Sequence, residues 1–313
     1  MNEMYLLLND KAAGETAKKK WERIKNKIQS RFDHLKIVNT YYQSAAEQIL
    51  RELDSKNDNK IIIAGGDGTI NYFINKLMEA KNEKEIKSIS IGVLGIGSSN
   101  DFCKPFNKES FINRVPCRIN FEDAQLRDVG IIKYRSDNGL LCKYFLLNAS
   151  IGVTAEANNI FNNPDKVLKF LKKYFTSAAI IYAAIKTIIN HKNFLAQITF
   201  DPFDKYSFRI SNLSIVKSPN FSGNLCYPIE ANYQNGLYDV YLAHSMRRNQ
   251  LINLLRSLSN KIFPQSSSTK YCKAPKIKVR SENDFLVEFD GEVISTNYAE
   301  FSILKEYLKV CMN

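Results

Sequence analysis

The chain has 313 residues, 44% hydrophobic and 24% charged, an ordinary globular composition with length for about two domains that bury real cores. Six cysteines and three histidines are scattered with no C-x-x-C pair, which excludes a zinc site and a disulfide framework and fits a reducing cytoplasm. A net charge of +12 attracts nucleotides, nucleic acid or anionic membranes alike, so it selects no partner by itself.

The opening MNEMYLLLND has too short an apolar run for a signal peptide and no small-residue cleavage site behind it, which predicts an intracellular chain. MYLLLN reads as a strand, residues 17–30 as a basic helix and LKIVN as a strand; Ala46, Ile49, Leu50 and Leu53 then mark one helical face. The rhythm repeats with the strand KIIIA, a helical stripe of Ile70, Phe73, Ile74, Leu77 and Met78, and the strand SISIGVL. Strands and helices alternating in this way, with continuous apolar strands, predict an α/β domain over residues 1–128 built on a parallel sheet with helices on both faces.

From residue 129 the texture changes to longer alternating strands. RDVGIIKYRSDNGLLCKYFLLNAS reads as a hairpin turning at Asp137, Asn138 and Gly139, and FLAQITF, YSFRISNLSIV, GLYDVYLAH, PKIKVR and FLVEF follow, so residues 129–299 form a second, mainly β domain. Within it, Asp165 to Lys192 is the most helical segment of the chain. Its uncharged core, Tyr174 to Ile185, is well short of the roughly 20 residues a spanning helix needs, so it is a buried or a membrane-surface helix.

The chemistry concentrates in IIIAGGDGTIN. Gly65, Gly66 and Gly68 remove side chains where backbone must approach a ligand, and the helix behind them offers free N–H groups and a positive dipole end, which makes an anion site. Asp67 is the oddity, because a carboxylate beside phosphate repels it unless a metal ion or substrate hydroxyl intervenes. The same letters also describe a turn in which Asp67 or Thr69 caps the helix. A second strand, loop and helix start, IGVLGIGSSNDF, adds Gly95, Gly97, Ser98, Ser99, Asn100 and Asp101, and two such loops at the carboxyl ends of parallel strands converge on one crevice.

Taken together, NDKAAG, GGDGTIN, LGIGSSNDF, RDVG, NASIGV, NGLYDV and FDGE give the chain, over nearly its whole length, a resemblance to the diacylglycerol kinase catalytic family, the bacterial lipid kinases similar to sphingosine and ceramide kinases. The resemblance implies an N-terminal nucleotide domain like those of phosphofructokinase and NAD kinase, rejoined by residues 300–313, a C-terminal β-sandwich that accepts the lipid, and ATP with Mg²⁺ bound between them. By position it implies a nucleotide-contacting loop from Asn9 and Asp10 to Gly14, with Thr40 at the end of the second strand. Gly65, Gly66, Asp67, Gly68, Thr69 and Ile70 become the phosphate loop, joined by Ser98, Asn100 and Asp101. It assigns catalysis to Asp67 and to the Asp290-Gly291-Glu292 motif, whose carboxylate takes the acceptor proton; by sequence alone Asp-Gly after a strand is a hairpin turn. It also implies a structural metal at Asn232, Asn235 and Leu237.

The chain departs from that pattern in places. Asn9-Asp10 replaces Asn-Pro, Tyr72 stands where an acid is usual, Ser98 replaces Thr, and Asn235 replaces the Asp of the metal site, a lost charge that weakens Mg²⁺ binding. The expected activity is ATP-dependent phosphorylation of a membrane lipid alcohol such as diacylglycerol, a step of phospholipid metabolism, by a cytoplasmic protein held peripherally on anionic membrane. NAD kinase shares the G-G-D-G-T loop, but the N-D-F and D-G-E elements favour the lipid kinase. A catalytically weak nucleotide- or lipid-binding homologue is the further alternative. No nucleic-acid motif accompanies the basic clusters, and an exposed edge strand leaves room for a homodimer.

Overall fold

The computed structural model describes residues 4–12, 15–40, 44–53, 58–106, 108–201, 204–223 and 225–312. The chain divides into two compact units, Met1–Val129 with Lys305–Asn313, and Gly130–Leu304.

In the first unit, β1 (Met4–Leu8), α1 (Glu15–Arg31), β2 (Leu35–Asn39), α2 (Ala45–Glu52), β3 (Asn59–Gly65), α3 (Asp67–Ala80), α4 (Glu83–Lys87) and β4 (Ile89–Gly95) follow in order. The strands lie β2, β1, β3, β4, each pair parallel. Along α1, Ala17, Trp21, Ile24 and Ile28 recur at helical spacing and pack on Leu6, Leu8, Ile62, Ala64 and Leu94 of the sheet. Ile61 and Ile63 are buried as well, which is why KIIIA reads as a continuous apolar run. Phe73 of α3 is fully buried, and truncating such a side chain costs about 3–5 kcal/mol.

The sheet is not wholly parallel. Residues 111–118 turn back on themselves, and the strand Val115–Arg118 pairs antiparallel with Val93 and Leu94 of β4. The last strand, Glu292–Cys311, returns to this unit, where Lys309 and Val310 pair parallel with Ser90 and Ile91. Asp128 of the R-D-V-G motif fixes that return, since its Oδ1 accepts the N–H of Glu306 at 3.0 Å. Arg127 beside it lies over the Phe102 ring.

The second unit is β-rich and antiparallel. The strands Ala124–Ser136 and Gly139–Phe145 form the expected hairpin. Asn148–Gly152 pairs with both Asp204–Val216 and Lys276–Phe289; Tyr238–His244 lies between Asp204–Val216 and Thr269–Ala274. Phe145, Ile151, Ile198, Leu213, Tyr238, Val287 and Phe301 share one core.

Helices depart from the sequence reading in three places. The segment Asp165 to Lys192 is two helices, α6 (Lys166–Tyr174) and α7 (Thr176–Asn190), because Phe175 adopts φ −143°, ψ 71° and breaks the ladder. Helix α5 (Val153–Asn162) follows the strand Asn148–Gly152 directly, and α8 (Arg248–Ser259) buries Leu251, Leu254 and Leu258. Neither was expected, because α5 is short and half polar and α8 carries its apolar stripe among polar and basic residues. Asp165 caps α6 by accepting the Leu168 N–H at 2.8 Å and pins α7 by accepting from Lys186 Nζ at 2.6 Å and Tyr182 Oη at 3.1 Å. Among the described residues no helix is long and apolar enough to cross a membrane.

Candidate active site

Four parallel strands end at one edge of the first unit, and the residues marked by the sequence cluster there. The Asn9 N–H donates to Ala64 O at 2.8 Å and the Thr40 N–H to Leu8 O at 2.9 Å, so both residues sit where β1 and β2 stop. Asn9 Nδ2 also donates to Thr69 Oγ1 at 2.9 Å, tying the first loop to the start of α3. Asp10 keeps a buried Oδ1 with no hydrogen-bond partner among the described residues. Gly14 lies outside the described residues.

The two glycine loops dock backbone against backbone. The Gly97 N–H donates to Gly65 O at 3.1 Å, and a Cβ built on Gly97 would stand 2.4 Å from Gly66 Cα. A Cβ on Gly65 would meet the Thr69 side chain at 2.5 Å. Steric contact therefore demands glycine at these positions.

Asp67, the odd carboxylate, opens α3, where the helix dipole favours a negative charge. Its Oδ2 accepts the Asp101 N–H at 3.1 Å and its Oδ1 the Phe102 N–H at 3.0 Å. The carboxylate thus holds the short helical turn Asp101–Cys103 of the second loop against the first. Asp101 in turn pairs with Lys104 Nζ at 2.7 Å. Asn100 takes the left-handed conformation, φ 51°, with Nδ2 on Gly97 O at 3.2 Å and a buried Oδ1 that has no hydrogen-bond partner among the described residues. Ser98 and Gly68 are exposed. The Thr69 and Ile70 N–H groups donate to Gly66 O, whereas those of Gly66, Asp67 and Gly68 have no intrahelical acceptor.

Lys20 joins this cluster from α1, with Nζ 2.5 Å from Gly97 O. Burial, and then the charge of Arg23, lower its pKa below that of an ordinary lysine. It belongs to the basic helix read over residues 17–30, where it stands three residues after Ala17 and four before Ile24 of the buried stripe, a spacing that marks it. Burial, with a smaller contribution from the charge of Asp67, pushes the Cys103 thiol up to about 12, which removes it as a nucleophile.

In the second unit, Asp290 and Gly291, at φ 47° and 92°, form the two-residue turn between Phe289 and Glu292, which pair across it. The Asp290 carboxylate accepts three backbone N–H groups, Leu146 at 2.6 Å, Leu147 at 2.9 Å and Asn148 at 3.2 Å. Its own N–H donates to Asn148 O at 3.1 Å. Glu292 is exposed. Glu288, which the sequence reading did not single out, is buried, with Oε2 on Ser150 Oγ at 2.8 Å and Oε1 on the Gly291 N–H at 2.8 Å. An acid interrupting the apolar strand FLVEF was its signal. Asn148 Oδ1 accepts the N–H groups of Lys217 and Ser218, each at 3.0 Å.

The residues expected to hold a structural metal do not gather around an open cage. Asn235 Oδ1 and Leu237 O face the ammonium of Lys217 at 2.8 and 3.1 Å. Asn232 is exposed and its Oδ1 closes a local turn on the Gln234 N–H at 3.2 Å.

Comparison with known proteins agrees with this architecture. The sequence profile of the diacylglycerol kinase catalytic domain matches residues 3–132, and that of the YegS C-terminal NAD kinase β-sandwich-like domain matches residues 148–312. The chain belongs to the diacylglycerol kinase catalytic-domain family. A Staphylococcus aureus protein that carries the provisional name of lipid kinase is 24% identical over 266 residues, 83% of this chain and 80% of its own. Among solved structures, a diacylglycerol kinase from Bacillus anthracis superposes with a TM-score of 0.68 at 20% identity, covering 100% of this chain and 97% of that one. A second Bacillus anthracis protein, provisionally named a diacylglycerol kinase, gives 0.72 at 23% identity over the same shares. These likenesses establish the fold, and the relatives' names support a lipid kinase.

Proposed function

We propose that this protein is an ATP-dependent lipid kinase that transfers the γ-phosphoryl group to the hydroxyl of diacylglycerol or a related lipid alcohol. The observation that carries the reading is the docking of the two glycine loops through Asp67, which brings the N-terminal turn of α3 and the Lys20 ammonium to one sheet edge. Such a cluster suits a polyphosphate, since phosphoryl transfer needs aligned donors and neutralised charge more than covalent help. The unpartnered oxygens of Asp10 and Asn100 suit the hydroxyl or amino donors of a nucleotide. Mg²⁺ bound with the nucleotide supplies charge neutralisation; Asp67 and Asp101 are the carboxylates beside the loops that would hold it.

Of the two acids in the D-G-E motif, Glu292 is the exposed one, and we assign to it the proton of the acceptor hydroxyl. Asp290, satisfied by three N–H donors, positions the turn that carries Glu292. The acceptor lies in a membrane, and α6 with α7 supplies a surface suited to one. Phe170 and Tyr174 on α6 and Ile181, Ile185 and Ile189 on α7 are exposed beside Lys166, Lys169 and Lys173, while Leu168, Ala179 and Ala183 fill a small core on the opposite faces. Apolar residues flanked by lysines fit an anionic bilayer, each base near the surface adding about 1 kcal/mol.

The test is transfer of labelled phosphate from γ-labelled ATP into lipids in mixed micelles, with NAD in a parallel tube. Label in a lipid, lost in Glu292→Gln, supports the kinase; label in NAD alone overturns it. The second reading, a binder without turnover, draws on Tyr72, exposed on α3 where the family usually has an acid. It is favoured by ATP binding with label in neither tube.

A further inference from the structure

We propose that Lys217 supplies, covalently, the cation around which the loop 232–237 is built, so that this chain binds no divalent ion there. Lys217 is 3% exposed, and its ammonium lies 2.8 Å from Asn235 Oδ1 and 3.1 Å from Leu237 O. Asn235 Oδ1 also accepts the Leu237 N–H at 3.0 Å, so one carboxamide oxygen closes the turn and meets the charge. The donor chemistry matches an ammonium rather than Mg²⁺. A magnesium ion takes hard oxygens, carboxylates among them, at roughly 2.0–2.1 Å in octahedral array. Here both oxygens are neutral, and the third residue expected as a ligand, Asn232, spends its oxygen on the Gln234 N–H. A dication sharing Asn235 Oδ1 and Leu237 O would lie against the Lys217 charge. No group of three His, Cys, Asp or Glu side chains suited to a metal exists among the described residues.

The exchange has a structural consequence. The backbone of Lys217 is locked, its N–H donating to Leu147 O and Asn148 Oδ1, each at 3.0 Å. The neighbouring N–H groups of Leu147 and Asn148 donate to the Asp290 carboxylate. One connected set of hydrogen bonds therefore runs from the loop 232–237 through Lys217 and Asn148 to the D-G-E turn, held by a charge that chelators cannot remove. The neutral carboxamide at position 235 and the ammonium of Lys217 are complementary halves of one contact.

The experiment uses the full chain without nucleotide, melted in EDTA and in millimolar MgCl₂, with bound Mn²⁺ counted by electron paramagnetic resonance. The wild type is expected to melt at the same temperature in both and to hold no Mn²⁺ that Asn235→Ala removes. Lys217→Ala with Asn235→Asp is expected to lose several degrees in EDTA, recover them in MgCl₂ and gain one Mn²⁺. Lys217→Met alone is expected to melt lower in both buffers. An Asn235-dependent Mn²⁺ in the wild type overturns the proposal even where the double variant fails to fold, and so does a folded double variant indifferent to Mg²⁺. None of these readouts depends on kinase activity.

Discussion

Asp67 holds Asp101: one carboxylate oxygen accepts the Asp101 N–H at 3.1 Å, the other the Phe102 N–H at 3.0 Å, so an acid in the first glycine loop fixes the backbone of the second. Asp67→Asn replaces one acceptor with an amide that faces an N–H group. Charged hydrogen bonds are worth about 1.5–3 kcal/mol each, so a drop of several degrees in melting temperature is expected, with ATP affinity falling at least tenfold. Calorimetry and nucleotide titration read the two effects; an unchanged ATP affinity would refute the clamp.

Gly97→Ala places a methyl group 2.4 Å from Gly66 Cα. Rigid backbone lies on both sides, so the loops must part, at a cost of about 1–3 kcal/mol. The expected outcome is a folded protein with weakened ATP binding. Gly139→Ala makes the control, because its Cβ meets nothing within 4 Å although its φ is 101°; it is expected to leave ATP binding unchanged.

Asp290 and Glu292 separate by phenotype. Asp290→Ala leaves three backbone N–H groups without their acceptor and should destabilise the second unit by about 2–4 kcal/mol. Glu292→Gln, at an exposed position, should leave the melting temperature within a degree or so while reducing kcat far more than ATP affinity. The reverse pattern would move the proton acceptor to Asp290.

Membrane contact is tested by Phe170→Glu combined with Ile185→Glu. Both positions are exposed, so stability should change by less than about 1 kcal/mol, whereas cosedimentation with phosphatidylglycerol-containing vesicles should fall severalfold. Binding that survives the double substitution places the contact elsewhere.

The α6 and α7 pair should also respond to acid. The Lys186 hydrogen bond, followed by the Leu168 N–H, holds the Asp165 carboxyl down to about 2, against an ordinary value of about 3.9. Such a depressed acid contributes stability that is present above about pH 4 and lost as pH falls through about 2. Amide protection factors in α6 and α7, the measured exchange rates referred to the intrinsic rate at each pH, are expected to stay level from neutral pH down to about pH 5 and to fall below about pH 4. Asp165→Asn should abolish that acid step while lowering the protection factors at neutral pH.

Much of the site was legible because its signals are local. Glycines at 65, 66 and 97 lie at or just past strand ends, and D-G after FLVEF is a turn by its letters alone; backbone geometry restricts which residues tolerate such positions. The segment Asp165 to Lys192 was readable as helical, but the break at Phe175 was not, since no Gly or Pro marks it.

What the sequence by itself determined is the alternation of strand and helix and the two glycine loops, because these follow from periodicity and backbone sterics within a few neighbours. What only the tertiary structure decided is which partner each charge meets. Asp67 and Asp101 are 34 residues apart, Asp290 and Leu146 144, Lys20 and Gly97 77, and Lys217 and Asn235 18. A buried charge must find donors or acceptors wherever the fold brings them, and chain-distant pairings of this kind leave no periodic trace in the sequence.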